Sequence, residues 1–420
     1  MRISTVTMFD QSVSAMNRQQ GDFLKVGQQI ASGRRVVNPS DDPQSAARAV
    51  GVSQAKAVTQ QYADARVSAR NSLAQGESVL NSVADAITSA KTLLVQASSD
   101  TLSDSDRQSV ASELRGIYET LLGQANATDG NGRYLFGGYQ DSSSPFVRGE
   151  NGITYVGDNQ ARAQRIDASR EMPVSDNGIR IFNSVASGAG YLSEAGRLTA
   201  DGSIGAQNEG DVTFSGPQIV NNSDPHHGRA FRVDFANDGV DITFTVRMQD
   251  DNGDWVETVP PLNDEAYDPA GQTISVGGLR LSLQGTPEDG DGVRVATANE
   301  MNHDLFKTME KALGVLENPA ATPTEKAELR NTLRTAMREL DNSLDNVLTV
   351  RASMGARLNE LDVVDAVGGN RMMNYEKTLS DLVDLDYSKA IAEYSLRQVG
   401  LQAAQKAFVD VKSMSLFNFL

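Results

Sequence analysis

From Gln44 to Ser144, and again from Thr324 to Leu420, the chain contains no proline. Proline costs a helix interior about 3 kcal/mol, so these breaks-free stretches of 101 and 97 residues permit very long helices. Eight of the twelve prolines fall between Pro145 and Pro287, and 24 of the 36 glycines between Gly130 and Gly292. The distribution predicts helix, then a Gly/Pro-rich β region, then helix again: one helical body with an insertion. The fold class is therefore α+β, a long-helix coiled-coil rod formed by both chain ends with an inserted antiparallel β domain.

Periodicity supports the helical reading. Ala69, Leu73, Gly76, Leu80, Val83, Ile87, Ala90, Leu94 and Ala97 alternate steps of four and three, a heptad seam that faces a partner helix. Gly76 and the alanines let helix axes approach closely. A single helix from Gln44 to Ala97 would be on the order of 80 Å long at 1.5 Å per residue. Val110, Leu114, Ile117 and Leu121 continue the spacing behind cap residues Ser103-Asp104. Leu333, Ala336, Leu340, Leu344, Val347, Met354, Leu358 and Leu361 form the matching C-terminal stripe.

The middle of the chain has strand grammar. Phe231, Val233 and Phe235 alternate with polar residues before an Asn237-Asp238-Gly239 turn, and Ile242 to Gln249 alternates up to Asn252-Gly253, a hairpin signal. Gln272 to Val276, Leu279 to Gln284 and Val293 to Ala296 read as further strands. Residues 178–297 are expected to form a compact antiparallel β domain, with a smaller hairpin pairing Arg133–Phe136 with Ile153–Val156.

Composition narrows the function. With 38 Lys+Arg against 55 Asp+Glu the net charge is −17, unsuited to wrapping nucleic acid. No cysteine excludes disulfides and thiolate metal sites, and three histidines leave little for imidazole chemistry. No apolar run approaches the roughly 18 residues of a membrane helix, and the N-terminus lacks an apolar core of signal-peptide length. Asp250, Asn252 and Asp254 begin like a calcium loop, but Trp255 and Pro261 stand where Gly and Glu belong, so a hairpin turn is expected. Glu288-Asp289-Gly290-Asp291-Gly292 reads as a polar turn, and His226-His227 as solvated loop histidines. There is no His-Glu-x-x-His, phosphate loop or Gly-x-Ser-x-Gly elbow. No catalytic residue, metal ligand or cofactor is expected; an enzyme or sugar-binding module in the β domain would require a concave pocket with converging polar groups around Trp255 or His226, and an intracellular coiled-coil scaffold is a third reading.

The two ends are the most informative. Phe9, Val13, Met16, Phe23 and Ile30 occupy a/d positions, with Gln20 and Gly27 in the remaining slots. Tyr387, Ile391, Tyr394, Leu401 and Phe408 follow a similar stripe, with Gln398 and Gln405 in its gaps. Either the two helices simply pair with each other, or they are weakly stable alone and become ordered in an assembly. Leu416, Phe417, Phe419 and Leu420 suggest burial against a neighbouring molecule. Between the first two helices, Pro39 forces Asn38 out of the helical region, so the first helix must stop near Gly33. Asp42 then caps the next helix with Pro43 at its first position, and Asp41 and Asp42 favour the positive end of that helix. Gly33, Asn38, Pro39, Ser40, Asp41, Asp42 and Pro43 form a rigid elbow; Arg351 and Arg357 could reach its aspartates or a neighbouring subunit, although surface arginines on a helix are more often simply solvated.

That elbow, Gly33-Arg34-Arg35-Val36-Val37-Asn38-Pro39-Ser40-Asp41-Asp42-Pro43, resembles the signature of bacterial flagellins and flagellar junction proteins. Arg351-Ala352-Ser353-Met354-Gly355-Ala356-Arg357-Leu358 and the closing helix Leu396 to Leu420 resemble their C-terminal marks. Within that superfamily, Asn131-Gly132-Arg133-Tyr134-Leu135-Phe136-Gly137-Gly138-Tyr139 and the last five residues are similar to the junction proteins; the alternative is flagellin, the bulk filament subunit. The likeness covers roughly the first 175 and last 120 residues. It implies a non-enzymatic structural subunit with terminal helices at 1–43 and 373–420 (an inner-tube domain), a long-helix domain at 44–177 and 298–372, and an outer β-rich domain at 178–297. It further implies export through the flagellar type III channel to the extracellular flagellum. The partners it implies are further copies in a ring, a hook-side junction protein, flagellin and an export chaperone, with no nucleic acid and no membrane.

Overall fold

The computed structural model describes residues 5–413, apart from 151 and 187. Long helices occupy both ends: α1 (Thr5–Ser32), α2 (Pro43–Ala97) and α3 (Asp104–Ala125) precede the insertion, and α5 (Leu305–Glu317), α6 (Pro323–Val383) and α7 (Tyr387–Ser413) follow it. A short α4 (Gly178–Phe182) lies between. The proline-free stretches thus yield one helix of 55 residues and, starting at Pro323, one of 61. All nine seam residues of α2 are buried, as are Leu333, Ala336, Leu340, Val347, Met354 and Leu361 of α6, while Leu344 and Leu358 are half-buried. A methyl group on Gly76 would lie 3.3 Å from Met354 Sδ and Cε, so glycine there sets how closely the two helices approach. Ser103 caps α3 in a reciprocal capping box with Asp106.

The insertion is antiparallel throughout its assigned pairs. The hairpins β1 (Phe146–Gly149)/β2 (Gly152–Tyr155) and β3 (Ala163–Asp167)/β4 (Arg170–Pro173) come first. Ten strands follow: β5 (Tyr191–Ala195), β6 (Arg197–Leu198), β7 (Ile204–Ala206), β8 (Thr213–Ile219), β9 (Phe231–Asn237), β10 (Ile242–Gln249), β11 (Trp255–Ala266), β12 (Gln272–Val276), β13 (Leu279–Gln284) and β14 (Gly292–Thr297). They build a five-stranded sheet, β11-β10-β9-β14-β5, and a three-stranded one, β12-β13-β8. Alternate residues Phe231, Val233, Phe235, Phe244, Val246, Leu279, Leu281 and Leu283 share the core between them. The expected hairpin partner Arg133–Phe136 is corrected to β1. Tyr134 makes only an isolated bridge to Thr128, and Leu135 and Phe136 turn inward, Phe136 edge-on to Phe182. The glycines flanking this run favour a packed loop over a ladder.

The chain divides into two compact units. One comprises residues up to Arg66, the β3–β4 tip Ile166–Ser169, and residues from Asp362 onward. Within it the Arg66 side chain, 3% exposed, pairs with Asp365 and donates to Ile166 O at 3.0 Å; Arg371 Nη1 holds Asp167 at 3.0 Å. The other unit comprises Val67–Arg165 and Arg170–Leu361. There, polar residues of α6 grip the main chain of the insertion. Asn331 Nδ2 donates to Val212 O (2.8 Å) and its Oδ1 accepts from Phe214 N (3.2 Å). Thr335 donates to Ser193 O (2.7 Å), Arg338 to Tyr191 O (3.0 Å), and Asn346 to Arg180 O and Ile181 O (2.7 and 3.0 Å). Strands β5 and β8 end their sheets, so this row satisfies edge groups that would otherwise be open to foreign strands.

Candidate assembly site: the terminal helix pair and its elbow

Helices α1 and α7 run antiparallel against one another. Phe9 meets Phe408 with centroids 5.3 Å apart, and Phe23 stacks on Tyr394 at 4.6 Å, where Gly27 leaves room for the ring. Arg397 bridges Asp22 (2.9 Å) and Glu393 (3.3 Å). The pairing is thin: among described residues of the two helices only Val26 and Ala390 are fully buried. Val13, Met16, Ile30, Leu401 and Phe408 are half-buried.

The contact side of α7 differs from the heptad expected. Ala390, Tyr394, Arg397, Leu401, Ala404 and Phe408 line it, whereas Tyr387 and Ile391 are exposed, as are Gln398 and Gln405. Small Ala390, Gly400 and Ala404 bring α1 closest on that side; a methyl on Gly400 would already lie 3.4 Å from the Gln19 amide oxygen. Ile391, Leu396, Val399 and Val409 then face outward, so α7 carries apolar side chains around its whole circumference. Leu24 of α1 is likewise exposed. Apolar side chains outside the α1 contact leave α7 only partly covered by its partner. Sequence periodicity missed Val26, Ala390 and Arg397, because apolar residues scattered among polar ones on α7 offer more than one stripe. Leu416, Phe417, Phe419 and Leu420 lie outside the described residues.

The elbow is built as its sequence requires. Gly33 adopts φ +69°, which only glycine takes without strain, and ends α1. Its carbonyl accepts from Leu385 N (3.0 Å), Arg35 N donates to Val383 O (2.8 Å), and the Arg35 guanidinium donates to Leu382 O (2.6 Å). The α1–α2 elbow is thereby stitched to the α6–α7 turn. Asp42 Oδ1 caps α2 by accepting from Ser45 N (3.1 Å), while its Oδ2 takes Arg35 (3.1 Å). Those bonds, Ser45 first and then Arg35, hold its carboxyl down at about 2. Asp41 accepts from Asn38 N (2.9 Å) and Val37 N (3.2 Å) and pairs with Lys25 (2.9 Å); the Asn38 bond, then Lys25, lowers its pKa. Asn38, Pro39, Ser40 and Pro43 are exposed. Arg351 and Arg357 do not serve these aspartates: Arg351 pairs with Glu77 (3.1 Å) and Arg357 with buried Asp176 (2.7 Å). Asp386, unflagged by the sequence reading, caps α7 through Ser388 N and Lys389 N (3.0 and 3.2 Å).

The other residues singled out by sequence have structural partners. Asp250 closes the β10–β11 turn by accepting from Asn252 N and Asp254 N, each at 2.9 Å. Trp255 donates to Asp201 O (2.9 Å) beneath the Arg232 guanidinium. The two histidines are half-buried rather than solvated: His226 N donates to Asp224 Oδ1 at 2.9 Å in an Asx turn with its ring Nδ1 3.6 Å from the same oxygen, and His227 packs edge-on to Tyr191. Among the described residues no group of three His, Asp or Glu is placed to hold a metal, and no helix is long and apolar enough to cross a membrane.

A thin antiparallel pair of terminal helices is thus stitched at a capped elbow and continues into two long seam-packed helices. Residues 3–141 match the family model described as the bacterial flagellin N-terminal helical region. The chain is 32% identical over 419 residues to flagellar hook-associated protein 3 of Escherichia coli K12, covering all of this chain and 99% of that one. The same identity and coverage hold for flagellar hook-associated protein 3 of Salmonella typhimurium. The crystal structure of Xanthomonas campestris FlgL is similar with a TM-score of 0.63 and 26% identity, over 78% of this chain and 99% of that one. The chain belongs to the flagellar hook-associated protein 3 family.

Proposed function

We propose that this protein is a non-enzymatic structural subunit of the bacterial flagellum, the adaptor at the hook–filament junction, assembled through its terminal helices. Family membership supports the junction role over that of bulk flagellin. The observation that carries the assembly mode is the incomplete cover of α7: Ile391, Leu396, Val399 and Val409 stay exposed although α1 is already docked. Most of the large apolar side chains exposed among described residues belong to the unit containing these helices, which is the smaller part of the chain. In the assembly, Phe9, Val13, Met16, Phe23, Ile30, Tyr387, Ile391, Tyr394, Leu401 and Phe408, with Leu416, Phe417, Phe419 and Leu420, pack against neighbouring subunits. Burying each large apolar side chain contributes about 1.5–3 kcal/mol and must exceed the cost of ordering it.

In this reading residues 1–43 and 373–420 form an inner tube, 44–177 and 298–372 the surrounding long-helix shell, and 178–297 an outer domain. The elbow residues Gly33, Asn38, Pro39, Ser40, Asp41, Asp42 and Pro43 aim the terminal pair. The partners are further copies in a ring with heterologous contacts, a hook-side junction protein, flagellin, and an export chaperone before secretion to the cell exterior. Deleting residues 1–30 or 400–420 is expected to leave a folded monomer that cannot assemble. Cells carrying either deletion should show hooks without filaments by electron microscopy; normal filaments would refute the assembly mode.

A further inference from the structure

Asparagine is followed by glycine at Asn131-Gly132, Asn151-Gly152, Asn177-Gly178 and Asn252-Gly253. Asn151 lies outside the described residues, and the fold treats the other three pairs differently. Asn131 and Asn252 sit in the same kind of turn. Asp129 Oδ1 accepts from Asn131 N (2.8 Å) and Arg133 N (2.9 Å); Asp250 Oδ1 accepts from Asn252 N and Asp254 N, each at 2.9 Å. Both glycines have positive φ, +79° and +91°, and donate to the carbonyl of the turn's aspartate at 3.0 and 3.2 Å. Their surroundings differ. Asn252 Nδ2 is tethered to Asp250 Oδ2 (3.3 Å), Gln249 Nε2 braces Gly253 O (3.0 Å), and Asp250, Asp251 and Asp254 crowd the turn with carboxylates. The exposed side chain of Asn131 has no hydrogen bond among the described residues, and the space around Gly132 is open. The charge of Asp129 is offset there by Arg133. Asn177 is locked: its Oδ1 accepts from Arg180 N (2.9 Å), its Nδ2 donates to Asn159 O, and buried Gly178 N donates to Phe136 O (2.9 Å).

We infer that Asn131 is a modification site, converted without an enzyme to aspartate and isoaspartate, while the fold slows the same reaction at Asn252 and blocks it at Asn177. Asparagine is among the thermolabile residues, and the only co-reactant is water. Gly132 N gives up its proton and attacks Asn131 Cγ, forming a new C–N bond. The Cγ–Nδ2 bond then breaks, and the nitrogen leaves as ammonia with the proton that Gly132 released. Water adds to either carbonyl of the resulting five-membered imide and cleaves that carbonyl's bond to nitrogen, which yields aspartate or isoaspartate. Glycine leaves the attacking nitrogen unhindered. Attack requires negative charge to develop on that nitrogen, which the carboxylates around Asn252 oppose and the Asp129–Arg133 balance does not. A tethered amide must also be released before it can meet the nitrogen. Isoaspartate adds one atom to the main chain and one charge beside Asp129, in a turn that leads straight into buried Leu135 and Phe136.

Peptide mapping by mass spectrometry, with enzymatic methylation of isoaspartate as a second readout, tests this on the full chain aged in warm buffer at pH 8. Isoaspartate should accumulate at position 131 about tenfold faster than at 252, from the difference in local charge, and should stay absent at 177. In concentrated urea Asn177 should convert as well, which separates protection by the fold from an inert sequence. Arg133→Glu leaves the Asn-Gly pair intact and should slow conversion at 131 about threefold. Asn131→Gln should abolish it, because closure would then need a six-membered ring. The assignment is overturned if Asn131 keeps its amide, or if it yields aspartate without isoaspartate, the mark of direct hydrolysis. It is equally overturned if Asn252 or Asn177 reacts as fast as Asn131 in the folded chain, or if Arg133→Glu leaves the rate unchanged.

Discussion

Glu339 of α6, 3% exposed and accepting at Oε2 from Thr308 Oγ1 (2.7 Å) and Asn302 Nδ2 (3.1 Å), makes stability depend on pH in a direction set by its burial. Desolvation, opposed in part by Thr308, Lys311 and Asn302, raises its pKa from 4.5 to about 7. The folded carboxyl keeps its proton where the unfolded chain has lost it. Its contribution is therefore full below about pH 4.5 and is lost as pH rises through about 7. Moving the pKa from 4.5 to about 7 corresponds to roughly 3 kcal/mol at about 1.4 kcal/mol per pH unit. Glu339→Gln keeps an acceptor for Thr308 and Asn302 but carries no proton equilibrium, so this share of the pH dependence should vanish. Urea unfolding of both proteins at pH 5 and pH 8 measures it. The wild-type chain should lose about 2–3 kcal/mol more than the variant between those pH values. Parallel pH profiles would refute the reasoning, because they would mean that Glu339 is hydrated or paired in the folded state.

Two further substitutions probe packing and polar satisfaction. Gly76→Leu should lower stability by about 1–3 kcal/mol by driving atoms into Met354, despite the better helix propensity of leucine; denaturant melts that show a stabilised variant would rule out a close-packed seam. Asp291 is wholly buried and accepts from Glu209 N, Gly210 N and Glu288 N at 2.8, 2.8 and 2.9 Å. Asp291→Ala should cost about 3 kcal/mol or more by orphaning these donors, with faster amide exchange at Glu209 and Gly210; unchanged exchange would contradict it.

The regular parts of the fold were legible because they follow one rule over many residues. The α2 seam from Ala69 to Ala97 repeats without a miss, and strands β9 and β10 alternate cleanly around an Asn-Asp-Gly turn. The elbow was legible from Gly33, Pro39, Asp42 and Pro43, whose backbone limits act locally. Long-range choices were not. Nothing local in the sequence marks Asn331, Thr335 and Asn346 as partners of the main chain of the insertion. Nor does anything near Arg66 in the sequence mark it as buried and bonded to Ile166 O of the β3–β4 tip. On α7 the several apolar stripes are equivalent until α1 selects one of them, which is why Ile391 was assigned to the contact side and Ala390 was not.

The bonds from α6 to Tyr191, Ser193, Val212, Phe214, Arg180 and Ile181 all end on peptide groups, which every residue type possesses. Such anchorage is blind to what the outer sheets display. Residues of the sheets that point away from the helix can therefore change while the mount stays intact. The β-rich region is in effect a replaceable cladding, and its freedom to diversify originates in the helix that holds its main chain.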